Sequence, residues 1–207
     1  MTALSPRFTE AVDYARHAHA AQYRKGTQIP YLYHLLGVAS LVLEHGGDED
    51  QAIAGLLHDV LEDCGSEHEV AIRTRFGAKV IEIVRACTDG SVEEKAAAEA
   101  AGSKLENWRR RKLTYLAQLR DKPDHTLLVS GCDKLHNARA ILGDLRNKDV
   151  GDSVFDRFTA TRDDTLAYYQ SLAEIFSARA TPMASAFDDT VAQIHSLAQA
   201  SVRKPLS

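Results

Sequence analysis

Apolar residues recur at helical spacing in almost every segment of this chain, and no segment shows the strict apolar–polar alternation of a half-buried strand. The first series predicts a helix over residues 6–22, which ends before the polar loop Arg24-Lys25-Gly26-Thr27-Gln28. A second predicted helix carries His34 and stops at Gly46-Gly47, because glycine commonly terminates helices. The pattern indicates an all-α fold.

The third predicted helix ends in a cluster of charged groups. The stretch Leu57-His58-Asp59-Val60-Leu61-Glu62-Asp63 continues an apolar helical series and predicts one amphipathic helix that ends at Cys64-Gly65. At helical pitch His58 sits beside Glu62, and Asp59 sits beside Asp63. Three carboxylates then crowd the negative end of the helix dipole, and a bound cation is the simplest way to relieve their repulsion.

Shorter elements are predicted in the middle of the chain. Ser66-x-x-Glu69 has the pattern of a capping box and opens a short helix that Phe76-Gly77 closes. Residues 80–84 continue a further helix. Residues 88–104 are rich in Gly, Ser, Glu and Ala, which predicts a mobile loop or a weakly packed helix beside a cleft. A basic helix follows from about Leu105.

The last part of the chain predicts three more helices. Pro123 precedes a long helix over residues 127–145. Asp152 can cap an aromatic-rich helix that extends to Phe176, and Thr181-Pro182 separates it from a last helix and a disordered end. We therefore predict a single helical domain over residues 1–180, with a C-terminal helix and tail over residues 181–207.

Composition narrows the class of protein. The 207 residues are enough for one sizeable core, and a chain with 44% hydrophobic and 26% charged residues is ordinary for a soluble protein. The net charge of −4 argues against a protein that coats nucleic acid. Because there is no apolar run of membrane-spanning length and no leader pattern, we expect no membrane partner and a cytoplasmic location. The three cysteines lack the spacing of a zinc knuckle or a disulfide framework.

Separate predicted helices can bring metal ligands together. A lone histidine such as His34 is more often a hydrogen-bonded core residue, and we interpret His19 and the other scattered histidines in that way. The combination favours a metal site, because the His58-Asp59 pair stands among apolar residues where a solvated face is not expected. The four candidate ligands are His34, His58, Asp59 and Asp133.

The candidate ligands leave the metal undetermined. A mixed set of histidines and carboxylates suits Mn²⁺, Fe²⁺, Zn²⁺ or Mg²⁺. A bound metal would polarise a phosphoryl oxygen and acidify a water molecule. Glu62 and Asp63 could then orient or deprotonate that water.

Other polar motifs point to chemistry less strongly. Arg24-Lys25 could bind an anionic or planar ligand, or form a solvated turn. We interpret Arg109-Arg110-Arg111-Lys112 as a solvated helix face. Asn137 follows Asp133 by four residues and shares its helix face, so it could contact a molecule that the metal holds.

Six motifs follow one another in order over residues 8–145. They are Arg24-Lys25, Pro30-Tyr31-x-x-His34, Ala54-Gly55-Leu56-Leu57-His58-Asp59-x-x-Glu62-Asp63, Phe76-Gly77, Thr88-Asp89 and Asp133-Lys134-Leu135-His136-Asn137. This succession resembles the HD-domain hydrolases of the Rel/Spo alarmone family, and specifically the small alarmone hydrolases. The order of the motifs is far more specific than the His-Asp pair alone.

The resemblance implies a helical HD fold with a C-terminal helical extension and no synthetase domain. It also implies that the 3′-diphosphate of (p)ppGpp, the alarmone of the stringent response, is hydrolysed to pyrophosphate and GDP or GTP. In this family a single Mn²⁺ lies at the positions of His34, His58, Asp59 and Asp133, and the pair that activates water corresponds to Glu62 and Asp63.

The resemblance further implies a purine nucleotide substrate. Arg24 corresponds to a residue that stacks on the base, Lys25 lies in the same loop, and Asn137 and Lys134 are assigned to substrate binding. Residues 90–119 match no pattern, so phosphate contacts there are unassigned. The alternatives are hydrolysis of (p)ppApp, removal of the NADPH phosphate and, at a lower rank, a catalytically silent alarmone-binding module. The sequence leaves open whether the protein is a monomer or a homodimer.

Overall fold

The computed structural model describes residues 3–88 and 103–207. Within these ranges the regular secondary structure is helical, apart from one isolated antiparallel bridge between Tyr23 and Pro30. The all-α prediction is therefore confirmed. The segment of residues 88–104, predicted as a mobile loop or a weakly packed helix, lies, except for its ends, outside the described residues.

The chain divides into two compact units. The first comprises Met1–Ala97 and Pro123–Asp133, and the second comprises Ala98–Lys122 and Lys134–Ser207. The helices described in the first unit are α1 (Pro6–Ala18), α2 (Leu32–Glu44), α3 (Glu49–Leu57), α4 (Val60–Asp63), α5 (His68–Phe76) and α6 (Ala78–Cys87). Those of the second unit are α7 (Lys104–Asp121), a 3-10 helix (Gly151–Arg157), α9 (Arg162–Ala178) and α10 (Ala184–Leu197). Helix α8 (Asp124–Arg146) contributes residues to both units.

Helix α3 is the centre of the first unit. A capping box opens it, because the Asp48 side chain accepts a hydrogen bond from the Gln51 backbone while the Gln51 side chain accepts one from the Asp48 backbone. Every residue from Gln51 to Leu57 is buried, and the helix packs against α1, α2 and α6. Gly55 allows the closest approach, since a Cβ atom there would lie 3.3 Å from the Cα atom of Ala39 on α2.

The helix predicted through residues 57–63 is interrupted. Helix α3 ends at Leu57 and α4 begins at Val60. The interruption arises at Asp59, whose φ of −94° and ψ of −5° lie in the bridge region between helix and strand. Its carbonyl still accepts a hydrogen bond from the Asp63 backbone, at 2.8 Å, so a new turn starts at once. The prediction of one continuous helix was wrong at the two residues that carry the candidate ligands.

Three other boundaries also differ from prediction. Helix α1 ends at Ala18, and the next residues form turns in which the Gln22 backbone donates to the His19 carbonyl. The capping box predicted at Ser66 and Glu69 is wrong, because α5 begins at His68 without a side-chain cap. The helix predicted from Asp152 is wrong too: a 3-10 helix comes first, and Thr161 caps α9 by accepting a hydrogen bond from Asp164.

The second unit packs around α9. This helix contacts α7, α10 and the 3-10 helix. Arg109 was predicted on a solvated face, but its guanidinium group donates to the buried Asp164 carboxylate at 2.6 and 2.9 Å. The tail predicted to be disordered is also attached, since the Leu206 backbone donates to the Ala167 carbonyl and Arg203 donates to Gln170. The division at residues 180 and 181 stays a prediction.

None of the helices in the described part of the chain combines the length and the apolar character needed to cross a bilayer.

Candidate metal and catalytic site

All four predicted metal ligands meet in the first unit. Helix α2 supplies His34, the break after α3 supplies His58 and Asp59, and α8 supplies Asp133. The His34 Nε2 atom lies 3.6 Å from Asp59 Oδ2 and 3.3 Å from Asp133 Oδ1. The His58 Nε2 atom lies 3.0 and 3.6 Å from the same two oxygens. Two histidine nitrogens and two carboxylate oxygens therefore face one another across one small space.

The orientation of His58 fits a cation in that space. Its Nδ1 atom lies 2.9 Å from the Gly55 carbonyl oxygen, which can only accept, so Nδ1 carries the proton. The lone pair of Nε2 is then left for another partner. This Nε2 atom is fully buried and makes no hydrogen bond to any described residue. A buried histidine held by a carbonyl on one nitrogen and open on the other is typical of a metal ligand.

The electrostatics of the site also call for positive charge. Burial alone lowers the pKa of His58, but the carboxylates of Asp59 and Asp133 outweigh burial and raise that pKa well above its usual value. Burial raises the pKa of Asp59, yet His58 and His34 outweigh it and hold that pKa well below its usual value. The group of side chains thus stabilises a positive charge among its ligand atoms, whether a proton or a divalent metal carries it.

Tyr31 is a member of the site to which the sequence analysis assigned no role, although it stands in the motif Pro30-Tyr31-x-x-His34. Its hydroxyl donates to Asp59 Oδ2 at 2.6 Å. Burial raises the pKa of Tyr31, and the neighbouring Asp59 carboxylate raises it further, so the hydroxyl stays protonated and remains a donor. The sequence could have indicated this contact, because Tyr31 precedes His34 by three residues and both therefore lie near the start of α2.

The two carboxylates predicted to activate water lie on the single turn of α4. Glu62 is partly buried and Asp63 is exposed. Asp63 Oδ2 accepts a hydrogen bond of 2.8 Å from Gln22 Nε2, and Gln22 Oε1 lies 2.5 Å from His19 Nδ1. His19 was interpreted as a hydrogen-bonded core histidine, and its burial and its contact with Gln22 confirm that interpretation. Gln22 was not singled out at all, because the contact joins residues 41 positions apart.

Arg24 and Lys25 begin a loop that the isolated bridge closes. The Arg24 backbone donates to the Ile29 carbonyl at 2.8 Å, and the Tyr31 backbone donates to the Gln22 carbonyl at 2.9 Å. The Arg24 guanidinium carbon lies 5.8 Å from the centre of the Tyr31 ring, within the range of a cation–π contact. The Lys25 side chain is exposed.

Lys134 and Asn137 belong to the second unit. Both lie on α8, within the turn that follows Asp133. The Lys134 ammonium group lies 5.1 Å from the centre of the Tyr115 ring. The ammonium groups of Lys112 and Lys122 lie 5.7 and 5.2 Å from the same centre, so positive charge is concentrated there. The roles assigned to Lys134 and Asn137 in substrate binding stay predictions.

Comparison with known proteins places this arrangement in a family. The model of the HD domain matches residues 11–166, which include all four candidate ligands. The chain belongs to the HD domain family. The resemblance to HD-domain proteins inferred from the ordered motifs is thereby confirmed, together with the helical HD fold.

Sequence relatives of this HD domain come from several bacteria. The guanosine-3′,5′-bis(diphosphate) 3′-pyrophosphohydrolase of Aquifex aeolicus is 34% identical over 132 residues, which are 63% of this chain and 17% of the relative. The enzyme of that name from Haemophilus influenzae is 33% identical over 64% of this chain and 18% of its own length. The bifunctional (p)ppGpp synthase/hydrolase SpoT of Escherichia coli is 28% identical over 81% of this chain and 21% of its own length. The matched region is thus about a fifth or less of these relatives.

Solved structures share the fold over most of this chain. One is described as a metazoan ortholog of SpoT that hydrolyses ppGpp; it matches with a TM-score of 0.67 and 21% identity over 98% of this chain and all of its own. A Listeria monocytogenes protein matches with a TM-score of 0.63 and 25% identity over 79% of this chain and 99% of its own. The HD fold is therefore common to both.

Proposed function

We propose that this HD domain is a divalent-metal-dependent hydrolase that removes the 3′-diphosphate of (p)ppGpp and gives GDP or GTP and pyrophosphate. The observation that carries the proposal is the convergence of His34, His58, Asp59 and Asp133 around the buried Nε2 atom of His58, which makes no hydrogen bond to any residue that the structure describes. Two further carboxylates, Glu62 and Asp63, lie on the next turn of the chain. The names of the sequence relatives supply the substrate class.

We propose Mn²⁺ as the metal. Two histidines and two aspartates offer a mixed set of nitrogen and oxygen ligands, and this set suits a borderline ion better than the all-oxygen sites that Mg²⁺ and Ca²⁺ prefer. When bound, the ion would supply charge that polarises a phosphoryl oxygen and acidifies water. Tyr31 and the Gly55 carbonyl would hold Asp59 and His58 in the orientation that binding requires.

Glu62 and Asp63 are proposed to orient the attacking water and to accept its proton. The water oxygen forms a bond to the phosphorus next to the ribose, and the bond from that phosphorus to the 3′-oxygen breaks. Pyrophosphate leaves as one piece, and the 3′-oxygen gains a proton to become a hydroxyl group. A positioned carboxylate typically contributes about 10²- to 10⁴-fold to such a proton transfer.

The residues proposed to recognise the nucleotide lie in the loop after Gln22 and on α8. Arg24 presents a planar cation that can stack on a purine, and Lys25 presents an ammonium group that can neutralise phosphate. Asn137 and Lys134 are proposed to contact the nucleotide and its phosphates. Stacking does not distinguish guanine from adenine, since every base has a π-face. The identity of the purine is therefore part of the test.

The test is product analysis of the Mn²⁺-loaded protein with ppGpp, ppApp and NADPH, and with GTP as a simple nucleotide. We expect ppGpp to yield equal amounts of GDP and pyrophosphate. A preference for ppApp would change the purine of the proposed substrate and leave the proposed reaction intact. Release of orthophosphate from NADPH or GTP, with no pyrophosphate from ppGpp or ppApp, would identify a phosphatase and contradict the proposal. Binding of ppGpp without turnover across several divalent metals would identify a silent binding module.

A further inference from the structure

Two consecutive hydrogen bonds connect a buried histidine to one of the proposed catalytic carboxylates. His19 is 4% exposed, and its Nδ1 atom lies 2.5 Å from Gln22 Oε1. Gln22 Nε2 in turn donates to Asp63 Oδ2 at 2.8 Å. The turns that follow α1 make this geometry, since the Gln22 backbone donates to the His19 carbonyl at 3.0 Å.

The chemistry of the three groups fixes the direction of both hydrogen bonds. An ionised carboxylate only accepts, so the NH₂ group of Gln22 must face Asp63. The amide oxygen of Gln22 then faces His19 and requires a donor, which the Nδ1–H of His19 supplies. The reverse orientation of the amide would place its oxygen against the carboxylate. His19 therefore selects the orientation of Gln22 that serves Asp63.

His19 is itself held in place. Its ring stacks on the ring of Tyr31, with centres 5.1 Å apart and planes 26° apart. The Cys64 sulfur lies 3.6 and 3.7 Å from the two ring nitrogens. The ring that supports Gln22 thus also contacts Tyr31, whose hydroxyl donates to Asp59. Rotation of His19 would disturb these contacts together.

Asp63 needs such support more than the buried ligands do. It stands exposed at the end of α4, which has only four residues. An exposed carboxylate on a single helical turn can change rotamer readily, and a catalytic group must be held close to its productive position. The hydrogen bond from Gln22 restrains the Asp63 side chain from outside its own helix.

Resting on the proposed function, we propose that Gln22 is a positioning residue that holds the Asp63 carboxylate for catalysis, with His19 setting the orientation of the Gln22 amide. Misplacement of a catalytic group by about 1 Å can lower activity by about 100-fold. Because the hydrogen bonds described for the Gln22 side chain join it to His19 and Asp63, metal content and KM should remain close to those of the wild-type protein.

The test compares kcat, KM and Mn²⁺ content for Gln22→Met, Asp63→Ala and the double variant. Methionine keeps the length of glutamine and removes both hydrogen bonds. We expect Gln22→Met to lower kcat about tenfold with KM changed less than about twofold. In the Asp63→Ala background the same substitution should have no further effect, because its target is absent. Gln118→Ala, on the exposed face of α7, is the matched control and should retain wild-type kcat.

A second variant isolates His19. His19→Phe keeps a ring to stack on Tyr31 and removes the Nδ1–H donor, so we expect a lower kcat that Gln22→Met does not lower further. If Gln22→Met does not fold, Gln22→Ala replaces it, with folding checked by circular dichroism. An unchanged kcat in a folded Gln22 variant, or the same loss with and without Asp63, overturns the proposal.

The proposed function can fail separately. If the wild-type protein releases no pyrophosphate, the proposed function is wrong, and the Gln22–Asp63 contact must be tested without an activity assay. The free energy of unfolding in urea, measured for the wild type, the two single variants and the double variant, provides that test. We expect the double variant to lose less stability than the two losses added together, and additive losses overturn the contact.

Discussion

At the scale of single residues, the site separates side chains that can hold a metal from side chains that can handle water. His34, His58, Asp59 and Asp133 face one another within the first unit, while Glu62 and Asp63 come after the break in the helix. The break places the His58-Asp59 pair between α3 and α4, whereas Glu62 and Asp63 lie on α4 itself. This separation predicts different consequences for substitutions only three residues apart.

Asp59→Ala should lose bound metal and activity together, because a ligand oxygen is removed. Glu62→Gln should retain the metal and lower kcat by about 10²- to 10⁴-fold, as expected for a group that positions or deprotonates water. Metal content measured by plasma mass spectrometry, alongside kcat, distinguishes the two. Equal loss of metal in both variants would reassign Glu62 as a ligand.

Tyr31→Phe should weaken metal binding and leave the fold intact. The substitution removes one hydroxyl, which donates to Asp59 at 2.6 Å, and keeps the ring that stacks on His19. Supporting partners of metal ligands typically contribute about 10- to 100-fold in affinity. Competition with a fluorescent chelator measures the affinity. Tyr33→Phe, at an exposed tyrosine in the first turn of α2, is the control, and an affinity equal in both variants would contradict the role of Tyr31.

At the scale of elements, the close packing of α2 on α3 sets the distance between the two histidines. A Cβ atom at Gly55 would already lie 3.3 Å from Ala39 Cα and 3.4 Å from Val38 Cγ1. Glycine is required here by a close approach of two helices. His34 belongs to α2 and His58 directly follows α3, so a change in this packing should alter the distance between the two candidate ligands.

Gly55→Val should destabilise the first unit by about 1–3 kcal/mol, the usual effect of overpacking a core, and should also reduce metal retention. Gly143→Val is the matched control, because a Cβ atom at Gly143 meets nothing within 4 Å. Thermal unfolding and metal content after gel filtration report the two effects. If Gly55→Val matched Gly143→Val in both, the packing of α2 on α3 would not control the site.

A buried histidine on α10 makes the stability of the second unit depend on pH. His195 donates from Nε2 to the Leu166 carbonyl, at 3.3 Å, and its Nδ1 atom is buried without a hydrogen-bond partner among the described residues. Burial lowers its pKa below the ordinary value of 6.5. The unfolded chain therefore takes up a proton more readily than the folded chain as pH falls through about 6.5.

Stability that is present above pH 6.5 should be lost progressively as pH falls towards the lowered pKa of His195. The free energy of unfolding in urea, measured from pH 7.5 to 5.5, should decrease less in His195→Gln than in the wild-type protein. Glutamine keeps a donor for the Leu166 carbonyl and cannot gain a charge in this range. Parallel curves for the two proteins would show that His195 does not contribute.

Much of this element structure could be predicted from apolar periodicity, and the exceptions have physical reasons. Apolar spacing continues on both sides of Asp59, so the two-residue break in the helix leaves no signal in the pattern. The candidate metal ligands were predictable because histidine and aspartate stand out among apolar neighbours. The contacts of Gln22 and His19 could not be predicted, because they form only when the turn after α1 brings Gln22 close to Asp63.

At the scale of the whole molecule, the chain combines an HD domain match over residues 11–166 with a fold shared by solved structures over most of its length. All four candidate ligands lie in the first unit, which includes the start of α8, whereas Lys134 and Asn137 lie in the second. The central claim is that water attacks phosphorus with the help of Glu62 and Asp63, and that the diphosphate leaves intact from the 3′-oxygen.

Hydrolysis of ppGpp in water enriched in ¹⁸O, with the products separated and weighed by mass spectrometry, tests this claim most directly. The proposed reaction requires one ¹⁸O atom in pyrophosphate and none in GDP, and it requires the reaction to stop when a chelator removes Mn²⁺. Release of two orthophosphates in sequence, or ¹⁸O in the ribose hydroxyl of GDP, would contradict it.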